Sequence, residues 1–199
     1  MRTLQQPLFT PETEWVPPDR LPNLTQHTEI AIDLETRDPN LLTMGSGSVR
    51  RDGEVVGIAI AVEGWSGYFP IAHEGGGNMD RALVLDWFEE LLQTPATKIF
   101  HNAMYDVSWI RSMGFYINGG IIDTMIAASL IDEMRFSYTL DSVGKDYVGM
   151  RKNEKLLQEA AKDWGINPKA EMWRLPAPFV GEYAEKDAEI TLKLWHALQ

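Results

Sequence analysis

The chain has 199 residues, of which 44% are hydrophobic and 10% are aromatic, and this composition suits one folded domain and excludes a disordered chain. The formal net charge of −11 argues against nucleic-acid binding through a broad basic surface, because phosphate contacts favour Lys and Arg. Cysteine is absent, which excludes disulfides and thiolate metal sites. The sequence has no apolar run of about eighteen residues and no apolar N-terminal signal region, so we expect a cytoplasmic protein without a membrane span.

Residues 1–28 are rich in Pro, Thr and Gln, which predicts an extended N-terminal arm and not a core element. The first strand is predicted at 29–35, where an apolar run ends in Asp33 and Glu35. Side chains two residues apart on a strand share a face, so these carboxylates lie side by side. They repel each other unless a cation binds between them. A solvated acidic strand end is the alternative at this point.

The next segment, residues 37–53, is predicted to form a long loop, either solvated or in contact with a substrate. It carries three arginines: Arg37, Arg50 and Arg51. Segments rich in Val, Ile and aromatic residues predict the second and third strands, at 54–62 and 68–71. Because hairpin connections join them, we expect strands one to three to be antiparallel.

A helix is predicted to run from a cap at Asn78 to about Thr94, followed by a short buried strand at 98–101. After a Gly-Gly break, another short strand at 121–122 precedes a helix at 124–131. Asp123 is predicted to cap that helix. Two further helices are predicted at 140–148 and 154–164, and the last at 181–198.

An acid lies inside the apolar stripe of the helix predicted at 102–114. The helix is expected to begin at a cap, Asn102, and Asp106 falls among its buried positions. A buried acid needs a hydrogen-bonding partner or a metal. Tyr105 and Trp109 lie on a neighbouring face and are either core residues or base-stacking residues.

The last predicted helix contributes a third acidic position on a dry face. Five charged residues lie on its predicted solvent-facing side, whereas Asp187 lies on the apolar side with Tyr183 one turn before it. A hydrogen bond between these two buried side chains is the simplest interpretation of the pair taken alone.

Three separate elements each place carboxylates on a face predicted to be buried. These are Asp33 with Glu35 on the first strand, Asp106 on the helix at 102–114, and Asp187 on the last helix. The motifs themselves supply no matching basic residues, so ion pairing does not explain the acids. Oxygen ligands of this type suit Mg²⁺ or Mn²⁺. Two such ions would support in-line phosphoryl displacement, with Tyr183 orienting the attacking water.

Three segments resemble the exonuclease motifs of the DEDD superfamily, in the subtype with tyrosine in the third motif: Asp33–Thr36, Phe100–Asp106 and Tyr183–Asp187. More narrowly, the chain is similar to the 3′–5′ proofreading domain of bacterial or phage family A DNA polymerases, over residues 29–199. The loop at 37–53 departs from that pattern, being longer and arginine-bearing. No palm, fingers or thumb follows Gln199, so the sequence allows either an excised domain or a free-standing exonuclease.

This resemblance implies a ribonuclease H-like α/β fold, with a five-stranded mixed sheet flanked by helices. It implies two divalent cations, Mg²⁺ or Mn²⁺, with Asp33, Glu35 and Asp187 on the first and Asp106 reaching the second mainly through water. Three further residues are expected to contact the substrate: Thr36, Asn102 and Tyr105. The expected partners are a single-stranded DNA 3′ end and a polymerase domain or subunit, for a monomer in a bacterial cell or phage-infected host.

Three alternatives stay open on the sequence. An RNA-trimming exonuclease of the ribonuclease D kind would use the same acids. A non-catalytic single-strand-binding module on a decayed nuclease fold is disfavoured, because all four acids and the tyrosine are present. A phosphatase-like metal hydrolase would cleave a small phosphate ester.

Overall fold

The computed structural model describes residues 11–199, in which one mixed sheet has helices packed on both faces. The strands are β1 (Glu29–Arg37), β2 (Glu54–Val62), β3 (Trp65–Pro70), β4 (Thr97–Phe100) and β5 (Ile121–Asp123). They lie in the order β3-β2-β1-β4-β5. Strands β1 to β3 are antiparallel, while β4 and β5 run parallel to β1. The predicted five-stranded mixed sheet is therefore confirmed.

Eight α-helices are assigned in the part of the chain that the structure describes: α1 (Leu41–Met44), α2 (Gly47–Arg50), α3 (Arg81–Gln93), α4 (Ala103–Ser112), α5 (Thr124–Ile131), α6 (Leu140–Val148), α7 (Lys155–Trp164) and α8 (Gly181–Leu198). Two single 3₁₀ turns, Met172–Arg174 and Ala177–Phe179, lead into α8. Among residues 11–199, no helix combines the length and the apolar character needed to cross a membrane.

Large side chains fill the core on the face of the sheet that α3 and α4 cover. Ile30 and Ile32 of β1 pack there with Phe88 of α3 and Trp109 of α4. Trp109 is only 2% exposed, so its aromatic ring contributes to packing and is not available to stack on a base.

The opposite face of the sheet is lined by small side chains where α8 crosses it. These are Ala31, Ala59 and Ala61. Helix α8 meets them with Ala184 and Ala188, both fully buried. Because small residues let a helix axis approach closely, α8 lies near the strands. The closeness brings Asp187, next to Ala188 in sequence, into the vicinity of the acids of β1.

The N-terminal segment contacts the core more than its composition predicts. Residues 11–28 are without helix or strand, as expected of an extended arm, while residues 1–10 of the predicted arm lie outside the described residues. Leu24, however, is 5% exposed and belongs to the core next to α3. The prediction that the arm stays outside the core is therefore wrong at this residue.

The predicted loop at 37–53 contains the two short helices α1 and α2. A four-residue helix cannot show an apolar stripe, which is why periodicity does not reveal it. Arg50 donates to the carbonyls of Met44 and Gly45 and to Asp52 within the same segment. Its guanidinium therefore holds the loop together.

One predicted helix cap is wrong, and a second is right in position but lacks the capping bond. Helix α3 is capped by Asp80, whose carboxylate accepts a hydrogen bond from Leu83 N, and not by Asn78. The Asn78 amide instead bonds the backbone N–H and carbonyl of His73. At α4, Asn102 occupies the cap position but its side chain makes no capping bond.

Candidate active site

The first two acids follow directly from the alternation of β1. Ile32 and Leu34 point into the core below α3 and α4, so Asp33 and Glu35 project from the face that α8 covers. Asp33 lies opposite Ala59 of β2 in the strand register. Both carboxylates keep part of their surface exposed.

The third acid reaches β1 from the other side of the sheet. Strand β4 pairs with β1 only over Glu29–Ala31, which leaves the backbone of β1 open on this edge just where Asp33 lies. The N–H of Leu34 there donates to Oδ1 of Asp106 at 3.0 Å. Asp106 is 4% exposed, so α4 places a buried carboxylate against the strand between Asp33 and Glu35.

The carboxylate of Asp123, about 20 residues further along the chain, holds the start of α4 in position. It accepts hydrogen bonds from the backbone N–H groups of Asn102 and Ala103 at 3.1 and 2.8 Å. It also accepts from Met125 N and Ile126 N at the start of α5, which confirms the predicted cap of that helix. One side chain therefore caps two helices, and the capping bond expected from the Asn102 side chain is absent at α4.

The fourth acid lies on α8, where the helix faces the sheet. Asp187 is 3% exposed, and Ile190 and Leu194 on the same side are fully buried, as the predicted dry face requires. Tyr183 precedes Asp187 by one turn and is partly buried. The hydroxyl of Tyr183 therefore faces the same pocket as the carboxylate.

The four carboxylates influence one another, and each favours its protonated form more than a free acid does. Burial raises the pKa of Asp33 and, together with the neighbouring charges of Asp33 and Asp187, raises that of Glu35 well above its usual range. Burial and the Asp33 charge do the same for the pKa of Asp106. For Asp187, burial raises the pKa to about 7. The effect of the Asp187 charge on Glu35, and of the Asp33 charge on Asp106, indicates that acids from different elements lie near one another.

Tyr183 is unsuited to act as a base. Burial, followed by the charges of Asp187 and Glu35, raises the pKa of its phenol far above the usual value. A hydroxyl in this environment keeps its proton at neutral pH. It can therefore orient a neighbouring group by hydrogen bonding but cannot remove a proton from it.

One residue of the site has no counterpart among the predicted ones. The ammonium of Lys152, in the segment between α6 and α7, forms an ion pair with Oδ2 of Asp187 and donates to the Tyr183 hydroxyl at 3.1 Å. The expectation that ion pairing plays no part among the acids is therefore wrong for Asp187. Residues 149–154 belong to no helix or strand, so no periodicity places Lys152 beside α8.

Of the three predicted substrate-contacting residues, Thr36 and Tyr105 contact each other, and Asn102 lies at the start of α4. The Thr36 hydroxyl is 2.7 Å from the Tyr105 hydroxyl. Tyr105 also donates to Asp38 at 3.1 Å, and its ring is partly buried. Asn102 has a left-handed backbone, with φ of 70°, and its side chain makes no capping bond to α4. Thr36, one residue after Glu35, and Tyr105, one residue before Asp106, are partly exposed, whereas Asn102 at the start of α4 is exposed.

The donor set of this cluster is made of carboxylate oxygens, the ligands that Mg²⁺ and Mn²⁺ prefer. Within residues 11–199 no three His, Asp or Glu side chains are arranged as a ready-made metal site. In the same part of the chain, Oδ1 of Asp187 is buried without a hydrogen-bond partner. A buried, unpaired carboxylate oxygen is costly, and the chemistry of the set therefore fits a hard divalent cation.

Comparison with known proteins places this chain in a family. A family model described as 3′–5′ exonuclease, that of family A DNA polymerases, matches residues 17–199. The chain belongs to this family. It is therefore an enzyme domain, a 3′–5′ exonuclease, and exonucleases of this type use divalent metal ions.

Relatives of this exonuclease domain are much longer DNA polymerases. The chain is 39% identical to the DNA-directed DNA polymerase of Pseudomonas phage M6 over 98% of its own length and 30% of that polymerase. It is 29% identical to DNA polymerase I of Pseudomonas aeruginosa over 74% of its length and 16% of that protein. The exonuclease domain thus spans less than a third of the length of either relative.

Solved structures of other exonucleases share its fold. Ribonuclease D of Trypanosoma brucei superposes with a TM-score of 0.64 at 19% identity, covering 88% of this chain and 58% of that one. Brucella melitensis NrnC with bound Mg²⁺ gives 0.58 at 23% identity, over 89% and 76% of the two chains. At these identities the likeness concerns the fold alone, and it confirms the ribonuclease H-like α/β architecture.

Proposed function

We propose that this exonuclease domain hydrolyses the terminal phosphodiester of single-stranded or frayed DNA from its 3′ end and releases nucleoside monophosphates. The observation that carries the proposal is the convergence of four carboxylates from β1, α4 and α8, each with a raised pKa. Such a cluster is unfavourable in a bare protein at neutral pH and becomes favourable with bound cations.

The proposed cofactors are two divalent cations, Mg²⁺ or Mn²⁺. Asp33, Glu35 and Asp187 would hold the first, and Asp33 with Asp106 would hold the second. When bound, the cations stabilise the negative charge that develops on the attacking and leaving oxygens of a phosphoryl displacement. The acids themselves would fix where the cations bind, because β1 and α8 pack against each other in one buried cluster.

The other residues of the site are proposed to position the reactants. Tyr183, which keeps its proton, donates a hydrogen bond to the attacking water and so fixes its direction. Thr36, Asn102 and Tyr105 lie beside the acids with part of their surface exposed and would contact the terminal nucleotide. A terminal nucleotide must leave its duplex to enter such a cleft, which favours single-stranded and mismatched ends.

The relatives support DNA as the substrate and a polymerase as the partner. Both named relatives are DNA polymerases, and the chain covers only a part of each. We therefore propose that residues 29–199 act as a proofreading domain beside a polymerase domain or subunit, as a monomer inside the cell. The net charge of −11 means that DNA contacts must be local, through the cations and a few side chains.

Digestion of labelled oligonucleotides tests the proposal. Single strands of DNA and RNA, and DNA duplexes with a matched or mismatched 3′ end, are labelled at the 5′ or the 3′ end and incubated with Mg²⁺ or with chelator. We expect a ladder of shortening 5′-labelled DNA, immediate release of the 3′ label as a mononucleotide, no reaction in chelator, and faster removal of mismatched than matched 3′ ends. Preferential digestion of RNA would instead assign the domain to RNA trimming, and release of a 5′ label first would contradict the polarity.

A further inference from the structure

Lys152 is the one cation of the described residues that ion-pairs with an acid of the active site. Its side chain is 18% exposed, and its backbone N–H is anchored to Asp141 of α6 at 3.3 Å. The chain between α6 and α7 therefore directs the Lys152 ammonium into the carboxylate cluster.

The ammonium engages two functional groups of α8 at once. It pairs with Oδ2 of Asp187 and donates to the Tyr183 hydroxyl at 3.1 Å, while lying 5.0 Å from the centre of the Tyr183 ring. Because the phenol oxygen accepts this bond, its own proton is left to be donated elsewhere. Lys152 therefore fixes both the carboxylate and the direction of the tyrosine hydroxyl.

The surroundings of Lys152 favour its charged form. Burial opposes the charge, yet Asp187, Asp33 and Glu35 together raise the pKa of Lys152 above its usual value. The ammonium thus stands among carboxylates from two elements, β1 and α8. A single positive charge in this position offsets part of the repulsion among the acids.

We propose that Lys152 is a positioning residue that serves as the built-in counter-charge of the acidic centre. Its ammonium holds Asp187 and Tyr183 in place when no metal is bound. A divalent cation that binds Asp187 must displace this ammonium from the carboxylate. The inference rests on the proposed function in one respect, namely that the carboxylates bind a divalent cation. It adds that metal affinity is set partly by competition with a lysine of the same chain.

Mn²⁺ binding without substrate tests this competition, by calorimetry on the wild type, Lys152→Met and Lys152→Arg. We expect Lys152→Met to bind Mn²⁺ about tenfold more tightly, a factor that corresponds to about 1.4 kcal/mol. Lys152→Arg keeps the positive charge and should stay within about threefold of the wild type. Lys155→Met is the matched control, because Lys155 is exposed at the start of α7 three residues away, and it should bind as the wild type does.

Thermal melting supplies the second readout. In chelator, Lys152→Met should melt below the wild type because Asp187 is left buried and unpaired, and saturating Mn²⁺ should close that gap. In an Asp187→Asn background the same lysine substitution should have little effect in chelator.

Two results would overturn the inference. One is unchanged or weaker Mn²⁺ binding by Lys152→Met, and the other is a loss of melting temperature that persists in saturating Mn²⁺, as a purely structural lysine would give. If the wild type itself binds no Mn²⁺, the proposed metal centre fails, and this result is distinguishable from the other two.

Discussion

The Asp187 side chain is nearly fully buried and forms an ion pair with Lys152. One of its two carboxylate oxygens nevertheless has no hydrogen-bond partner within residues 11–199. A purely structural aspartate at such a depth would have both oxygens satisfied. The unpaired oxygen indicates a ligand position. Removing the side chain therefore tests the chemistry more directly than removing any other residue of α8.

The first prediction concerns loss of a carboxylate. Asp33→Ala or Asp187→Ala should lower kcat for single-stranded DNA by about a thousandfold or more, the scale on which loss of transition-state charge stabilisation is felt. Glu182→Ala, on the exposed side of α8, is the control and should retain full activity. Near-wild-type rates in either aspartate variant, measured with contaminating nuclease excluded, would remove the carboxylates from the mechanism.

Tyr183→Phe tests the role of the hydroxyl alone. The variant should lower kcat by roughly 10- to 1000-fold, as expected for loss of one positioning group, while its Mn²⁺ affinity stays near that of the wild type. Tyr116→Phe, whose ring is largely exposed, should have no effect. An unchanged rate in Tyr183→Phe would reduce Tyr183 to a packing residue.

The acids could be predicted from the sequence because each one breaks a local rule. Asp106 interrupts an apolar stripe, Asp187 lies on the buried side of a helix whose other side is charged, and Asp33 interrupts the apolar run of a core strand. Lys152 breaks no rule, since a lysine in a segment between helices is ordinary. Only the folded chain brings it to Asp187, across 35 residues of sequence.

At the level of elements, sequence periodicity predicts the long helices and the strands well, because each buries one continuous face. It fails at the starts of α3 and α4. Asn102 has the right residue type for a cap, but the capping bonds come from Asp123, which lies 20 or more positions further along the chain. Capping by a distant side chain depends on the sheet bringing β5 beside β4, which no local pattern reveals.

Asp123 provides the test at this scale. Because it accepts bonds from the first N–H groups of both α4 and α5, Asp123→Ala should lower the free energy of unfolding by about 2 kcal/mol, roughly one cap per helix. Urea denaturation measures the loss, with Asp86→Ala on the exposed side of α3 as the control. A change no larger than that of the control would show that neither helix depends on this cap.

For the whole molecule, the raised pKa values have a consequence for stability. A carboxylate whose pKa is raised by folding binds its proton more tightly in the folded chain than in the unfolded one. Its destabilising effect is absent at a pH below the unfolded value of about 4 and develops as the pH rises through the folded value. Because the pKa of Asp187 is about 7, its carboxylate is mostly ionised at pH 8, and most of its destabilising effect on the fold is present at that pH.

Asp106→Asn should therefore melt above the wild type at pH 8 in chelator, by about 3 °C, the shift that about 1 kcal/mol produces in a chain of this size. Asn keeps an oxygen that can accept from Leu34 N but cannot ionise. The difference in melting temperature between the two proteins should shrink as the pH falls toward 4. A variant that melts below the wild type at pH 8 would identify Asp106 as a satisfied structural acid.

Electron paramagnetic resonance of bound Mn²⁺ tests whether acids from β1, α4 and α8 form one centre for two divalent cations. With a single-stranded oligonucleotide protected at its 3′ end, the wild type should give the spectrum of a spin-coupled Mn²⁺ pair, because the two ions of such centres lie about 3.5–4 Å apart. Asp33→Asn should lose that coupling, since Asp33 is the proposed shared ligand. A wild type without a coupled pair, or an Asp33→Asn variant that retains it, would contradict the account.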